Sequence, residues 1–73
     1  MRTRFKKSQR FRVIANGVSF YTDAGQIRDG VGDFTKLNLA LVHAIDALEL
    51  AKEDGATGLC GAWYGYQIQL SMM

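Results

Sequence analysis

The chain has 73 residues, of which 48% are hydrophobic and 22% charged, and its formal net charge is +2. A chain of this length forms a single small domain, because folding at this size buries only about 60% of the unfolded surface. The near-average composition, without proline or a low-complexity tract, excludes a disordered or fibrous protein.

The sequence contains one cysteine, Cys60, and one histidine, His43. A lone cysteine cannot form a disulfide within the chain, and a structural zinc site needs four ligands, so we expect no metal and no cofactor. No apolar run approaches the roughly 18 residues that span a bilayer, and the basic N-terminus is not followed by the apolar block of a signal peptide. We expect a cytoplasmic protein with a reduced thiol and no membrane partner.

Basic residues are concentrated at the N-terminus, whereas all seven acidic residues come at or after Asp23. We predict a basic N-terminal arm over residues 1–9 and a single α+β domain over residues 10–73. Of the nine lysines and arginines, six fall at the start of the chain: Arg2, Arg4, Lys6, Lys7, Arg10 and Arg12.

Residues 10–22 predict a β-hairpin. Two β-prone runs flank Asn16-Gly17, a dipeptide that suits a type I′ turn because both central residues take positive φ. The two-residue loop fixes the register, so the hairpin has one apolar face that belongs to the core. The other face is cationic and aromatic and carries Arg10, Arg12, Ile14, Ser19 and Tyr21.

Residues 23–33 contain three glycines and three aspartates without a sustained period. We predict a turn-rich connection, with room for a short edge strand around Ile27. The glycines here lack the spacing of a phosphate-binding loop, and the neighbouring aspartates would repel an anion.

A helix of about five turns follows, with Asp33 or Thr35 as its N-cap and Gly55 as its stop. Its apolar positions form a broad stripe that can cover one side of a sheet. The stripe comprises Phe34, Leu37, Ala40, Leu41, Ala44, Ile45, Leu48 and Ala51.

Three apolar residues, Leu39, Val42 and Leu50, lie roughly opposite this stripe and cannot pack on the same sheet. An exposed apolar stripe in a small domain commonly marks a protein interface. The alternative is that a longer sheet or the N-terminal arm covers these residues.

The C-terminal part predicts one or two strands. Residues alternate apolar and polar from Tyr66 to Met72, which is typical of a half-buried strand. Residues 59–62 can form a further short strand, with Tyr64-Gly65 as the bend between the two. The predicted fold is therefore α+β, with an antiparallel sheet of three or four strands and one helix packed on one face.

Catalysis requires a nucleophile with an activating base and an orienting partner, and the candidates are Cys60, His43 and Asp46. No sequence around Cys60 resembles a nucleophile turn, and we predict that this residue is small, apolar and buried. His43 and Asp46 have the spacing of an ordinary pair on a helix surface. We therefore predict that the protein is not an enzyme.

Two surfaces are candidates for binding a macromolecule. The first is basic and aromatic, suits phosphate contacts and base stacking, and comprises Arg4, Lys6, Lys7, Arg10, Arg12 and Tyr21. The second is the outer helix stripe of Leu39, Val42 and Leu50. Ile14, Tyr21 and Trp63 would add apolar and aromatic anchors on the exposed sheet face.

The layout of residues 10–72 resembles that of small phage-encoded inhibitor proteins, anti-CRISPR proteins among them. The likeness rests on the hairpin, the terminal strand after a glycine, and a helix rich in alanine at positions 40, 44, 47 and 51. It implies that the protein acts by occupying a surface of a host enzyme or nucleic-acid complex.

We therefore expect a non-enzymatic binding protein that inhibits or modulates a host protein or ribonucleoprotein complex. The alternative is a small nucleic-acid-binding domain that uses the basic arm and the hairpin. Protein binding includes self-association as a homodimer.

Overall fold

The computed structural model describes residues 4–30 and 35–73. Within these residues the elements are β1 (Arg10–Ala15), β2 (Val18–Asp23), α1 (Ala24–Asp29), α2 (Lys36–Lys52), β3 (Gly58–Trp63) and β4 (Tyr66–Met72). The strands form one four-stranded antiparallel sheet in the order β2-β1-β4-β3, with the helices inserted between its two hairpins. This confirms the α+β prediction, and the sheet has the larger of the two predicted strand numbers.

The β1–β2 hairpin has the predicted turn and register. Asn16 and Gly17 both have positive φ, 49° and 86°, as a type I′ turn requires. Ala15 pairs with Val18, so every side chain of the hairpin lies on the predicted face. Asn16 also joins the hairpin to β4, because its Oδ1 accepts a hydrogen bond from the backbone N–H of Gln67.

The β3–β4 hairpin closes with the same two-residue geometry, since Tyr64 and Gly65 have φ values of 53° and 81°. Trp63 pairs with Tyr66 and therefore lies on the same face as Ile68 and Leu70, where it packs against the core. The prediction that Trp63 belongs to the exposed sheet face is wrong. The register of β3 decides on which face of the sheet the Trp63 side chain lies. The short, glycine-rich sequence of β3 contains no alternation of apolar and polar residues that predicts this face.

The connection after β2 contains the helix α1, so the predicted edge strand around Ile27 is wrong. Asp23 caps the helix by accepting a hydrogen bond from the backbone N–H of Gln26 at 2.8 Å. Gly30 ends it in the left-handed conformation, with φ 30°. A six-residue helix has too few turns to show a period, and its aspartate and glycine caps resemble turn residues in the sequence.

Helix α2 begins at its predicted cap, Thr35, whose side chain accepts a hydrogen bond from the backbone N–H of Asn38. It ends just before Gly55, which has φ 90°. The predictions for Asp33 and Phe34 concern positions outside the described residues.

α2 packs on β3 and β4, and α1 packs beside it and against β2. No helix in the described ranges is long and apolar enough to cross a membrane.

The core lies between the helices and one face of the sheet. Strand residues of the inner face meet the predicted apolar stripe of α2, although Leu37 and Ala51 are half-buried at its margins. The buried hydrophobic residues of the core are Phe5, Phe11, Val13, Ala15, Ala24, Ile27, Ala40, Leu41, Ala44, Ile45, Leu48, Ile68 and Leu70.

Residues 5–9 pack against the domain. Phe5 is only 8% exposed and meets the ring of Phe11 edge-to-face, with ring centroids 5.0 Å apart. The Nζ atom of Lys52 lies 4.7 Å from the centre of the Phe5 ring. The backbone N–H of Gly25 donates to the carbonyl of Lys7, so the segment also contacts α1.

The carboxylate of Glu49 is fully buried and links three parts of the fold. One oxygen accepts a hydrogen bond from the backbone N–H of Phe5 at 2.9 Å, and the other accepts from Arg28 at 2.6 Å. Arg28 also donates to Asp46 at 2.8 Å. Burial by itself would lower the pKa of Arg28, but the hydrogen bonds to Asp46 and Glu49 outweigh it and raise the pKa, so Arg28 stays charged.

Replacing Glu49 should therefore be costly. We expect Glu49→Ala to lower the free energy of unfolding by about 3–5 kcal/mol, because it leaves Arg28 and the Phe5 N–H without their buried acceptor. Urea denaturation followed by circular dichroism measures the loss. The matched control is Glu53→Ala, an exposed acid on the next turn, which should change stability by less than about 0.5 kcal/mol. Equal effects of the two changes would contradict the structural role of Glu49.

The packing of the N-terminal segment is tested at Phe5. We expect Phe5→Ala to cost about 3 kcal/mol of unfolding free energy, since it removes a buried ring, whereas Phe5→Leu should cost less than about 1.5 kcal/mol. Thermal and urea denaturation provide the measurement, with exposed Arg4→Ala as the control. If Phe5→Ala unfolds at the same midpoint as Arg4→Ala, the segment does not contribute to the core.

Candidate binding surface

The sheet has one face on which neither α1 nor α2 packs, and we call it the open face. Its side chains are those that alternate with the core residues along each strand. Residues that pair across neighbouring strands, such as Arg12 with Ser71 and Cys60 with Gln69, point to the same face, so all four strands contribute to one surface. The open face comprises Arg10, Arg12, Ile14, Ser19, Tyr21, Asp23, Gly58, Cys60, Ala62, Gln67, Gln69 and Ser71.

The half of the open face formed by β1 and β2 is cationic and aromatic. Arg12 pairs with Tyr21, whose side chain is 59% exposed. Arg10 pairs with Asp23, but the carboxylate of Asp23 also caps α1 by accepting from Gln26. Two exposed arginines and a tyrosine are therefore held at fixed spacing by the strand register.

The half formed by β3 and β4 carries no charge. Its side chains are two amides, one hydroxyl and three small residues, so it offers hydrogen-bond donors and acceptors between small side chains. A shallow open cavity of about 520 Å³ lies here. Its lining consists of Ile14, Gly17, Cys60, Gly61, Ala62, Gln67, Ile68 and Gln69.

The predicted basic surface is divided in the structure. Arg10 and Arg12 project from the open face, whereas Lys7 lies beside α1, where it forms an exposed ion pair with Asp29 at 3.5 Å. Arg4 and Lys6 are exposed on either side of Phe5, which is packed against α2.

The division has a local cause, because the chain turns between Lys6 and Gln9. The backbone N–H of Gln9 donates to the carbonyl of Lys6 at 2.9 Å. The segment before this turn therefore runs over the helices and not along the open face.

The outer stripe of α2 is not continuous either. Leu39 and Leu50 are 37% and 53% exposed, but they are eleven residues apart, about 16 Å along a helix. Val42 is half-buried and packs against the core, so its predicted exposure is wrong. It shares the side of α2 on which Asp46 and Glu49 bind Arg28, and α1 and residues 5–9 lie on that side.

The structure does not assemble the residues considered for catalysis. Cys60 is exposed on the open face, so its predicted burial is wrong; the pairing of β3 with β4 turns Leu59 and Gly61 inward instead. His43 lies on the helix side, with its Nε2 atom 3.3 Å from the hydroxyl of Tyr64. Asp46 binds Arg28. Residues 4–30 and 35–73 contain no group of three side chains that could hold a metal ion.

Sequence reasoning missed the uncharged half of the open face. The alternation from Tyr66 to Met72 already indicated that Gln67, Gln69 and Ser71 point away from the core. The sequence does not show that β3 lies beside β4 and adds its side chains to this half of the open face. The sheet order shows both.

Comparison with known proteins identifies no relative of this chain. No protein-family model matches it, and neither a curated protein nor a solved structure is significantly similar to it.

Proposed function

We propose that this protein is a non-enzymatic binding protein whose open face docks on an acidic surface of another protein, alone or within a ribonucleoprotein complex. The observation that carries the proposal is the pairing of Arg12 with an exposed Tyr21 on a sheet face that neither helix covers. Tyrosine and arginine are among the residues that contribute most to binding at protein interfaces.

The strand pairing also favours binding. Tyr21 and Arg12 sit on neighbouring strands whose register is set by the Asn16-Gly17 turn, so little backbone freedom is lost when a partner docks. A cationic face attracts an acidic partner and increases the rate of association. The neighbouring uncharged half allows close contact without burying an unpaired charge.

A protein partner suits this surface better than a nucleic acid. Binding to a phosphate backbone depends on a row of cations, usually with several stacking aromatics. The open face carries Arg10 and Arg12 at one end and a single exposed tyrosine, while Lys7 lies beside α1 and pairs with Asp29. The amides and small residues of β3 and β4 supply neither phosphate contacts nor stacking rings.

The resemblance in layout to small phage-encoded inhibitors supports a specific role for this binding. An inhibitor of that kind needs no catalytic group, because occupying a functional surface of the host complex is sufficient. We propose that the open face is the occluding surface and that the target is a host protein or ribonucleoprotein.

The proposal predicts which substitutions weaken binding. The tagged protein is used to capture partners from lysate of its native cells with and without nuclease treatment, and the dissociation constant for each purified partner is then measured by calorimetry. We expect the double variant Arg12→Glu/Tyr21→Ala to bind about 100-fold more weakly, since it reverses one charge and removes the aromatic anchor. Circular dichroism verifies that the variant is folded.

The matched control is Leu39→Glu/Leu50→Glu, which alters the exposed leucines of α2 and should change affinity by less than about threefold. Loss of binding in this variant, with normal binding by Arg12→Glu/Tyr21→Ala, would assign the interface to the helix and overturn the proposal. Nuclease-sensitive capture whose affinity falls steeply with salt would favour the nucleic-acid alternative.

A further inference from the structure

Within residues 4–30 and 35–73 the sheet ends at β3, and no described strand pairs with the outer side of β3. The hairpin closes at the pair of Trp63 with Tyr66, so the residues of β3 that exchange hydrogen bonds with β4 are Trp63, Gly61 and Leu59. The bond from the N–H of Met72 to the carbonyl of Thr57 continues the same alternation. It follows that Gly58, Cys60 and Ala62 direct their backbone N–H and C=O groups away from β4.

This edge lacks the features that normally prevent pairing. β3 has the sequence Gly-Leu-Cys-Gly-Ala-Trp, with neither a charged residue nor a proline. Natural edge strands are commonly protected by lysine, proline or bulges. The opposite edge, β2, carries the bulky Tyr21 and ends at Asp23, which caps α1. β3 is therefore the edge at which a further strand can pair.

We propose that a second copy of this chain pairs antiparallel along β3, about a two-fold axis at Cys60. In this register Cys60 lies opposite Cys60 of the partner subunit, and Gly58 lies opposite the partner subunit's Ala62. The three residues with outward backbone groups are symmetric about Cys60, so each outward N–H meets a carbonyl. β3 is thus complementary to itself.

The side chains permit this approach. Those of Gly58, Cys60 and Ala62 are small, so β3 itself presents no bulky or charged side chain to the incoming strand on the open face. An uncharged strand also pairs with its own copy without electrostatic repulsion. The two sheets would join into one, with the uncharged halves in the middle and the cationic halves at the ends.

The helices fit the same arrangement. α2 packs on β3 and β4, and strands are about 4.8 Å apart, so the two copies of α2 would lie roughly 10 Å from each other. Packed helices are separated by about 8–10 Å. The side of α2 that faces away from Asp46 and Glu49 carries Ala47 and Ala51, half-buried residues whose small side chains allow that distance.

Sedimentation equilibrium under reducing conditions tests the dimer. We expect wild type to dimerise at micromolar concentrations and Cys60→Pro to be a folded monomer. Proline removes an N–H that points away from β4, so the hairpin itself is preserved. Ala62→Lys, which adds a charge to the same edge, should weaken dimerisation by about tenfold or more. Circular dichroism establishes that each variant is folded.

The matched control is Ser19→Pro. Ala15 closes the first hairpin with Val18, so Ser19 occupies the equivalent outward position on β2. This variant should still dimerise like wild type. The proposal is overturned if wild type remains monomeric at about 200 μM, which is far above the micromolar dissociation constant expected of the dimer. It is equally overturned if the Ala62→Lys protein dimerises like wild type.

Oxidation tests the register independently, because Cys60 is the sole cysteine. Facing residues of a hydrogen-bonded pair have Cα atoms about 5.5 Å apart, within the range of a disulfide. We expect mild oxidation to convert wild type into a covalent dimer. In the variant Cys60→Ser/Ala62→Cys the two thiols would be four residues out of register, about 13 Å apart, and should not crosslink. Equal crosslinking of both proteins would overturn the proposed axis.

Discussion

The buried carboxylate of Glu49 determines how the chain around the helices is arranged. An unpaired charge in the interior costs several kcal/mol, so Glu49 must be supplied with hydrogen-bond donors. These donors come from Phe5 in the N-terminal segment and from Arg28 in α1, neither of which is near α2 in sequence. One side chain thus brings three segments together on the helix side of the sheet. The same arrangement holds residues 5–9 on that side, so neither this segment nor the two helices cover the opposite face of the sheet.

The two sides of the sheet therefore differ in chemistry. On the helix side, the described part of the chain pairs acidic groups with cations, as Arg28 does with Asp46 and Glu49. On the open face, Arg12 and Tyr21 form an exposed pair, and the charge decreases to zero towards β3. Both proposed contacts use this asymmetry, since an acidic partner suits the charged end and a second copy suits the neutral edge. The two contacts occupy different ends of the face, so neither depends on the other.

Local signals in the sequence were sufficient to predict most of the secondary structure. Asn16-Gly17 determines a turn of one type because few dipeptides accept positive φ at both positions. Thr35 and Gly55 bound α2 because capping depends on groups within one turn of the helix end. The alternation from Tyr66 to Met72 determines which side of β4 is buried. The cationic face of the first hairpin followed from the same local register, so that part of the candidate site was predictable.

The remaining features were decided by contacts between residues far apart in sequence. Val42 is half-buried against the core, on the side of α2 where Phe5 and Arg28 bind Glu49, and no periodicity in α2 indicates which elements lie there. Cys60 points outward and Trp63 points toward the core because β3 takes its register from β4, and the sequence of β3 has no alternation that predicts which of its faces is buried. By itself the sequence determined the two hairpins, α2 and the cationic hairpin face, but not α1. The tertiary structure decided which surfaces stay exposed, because exposure depends on what packs nearby and not on local propensity.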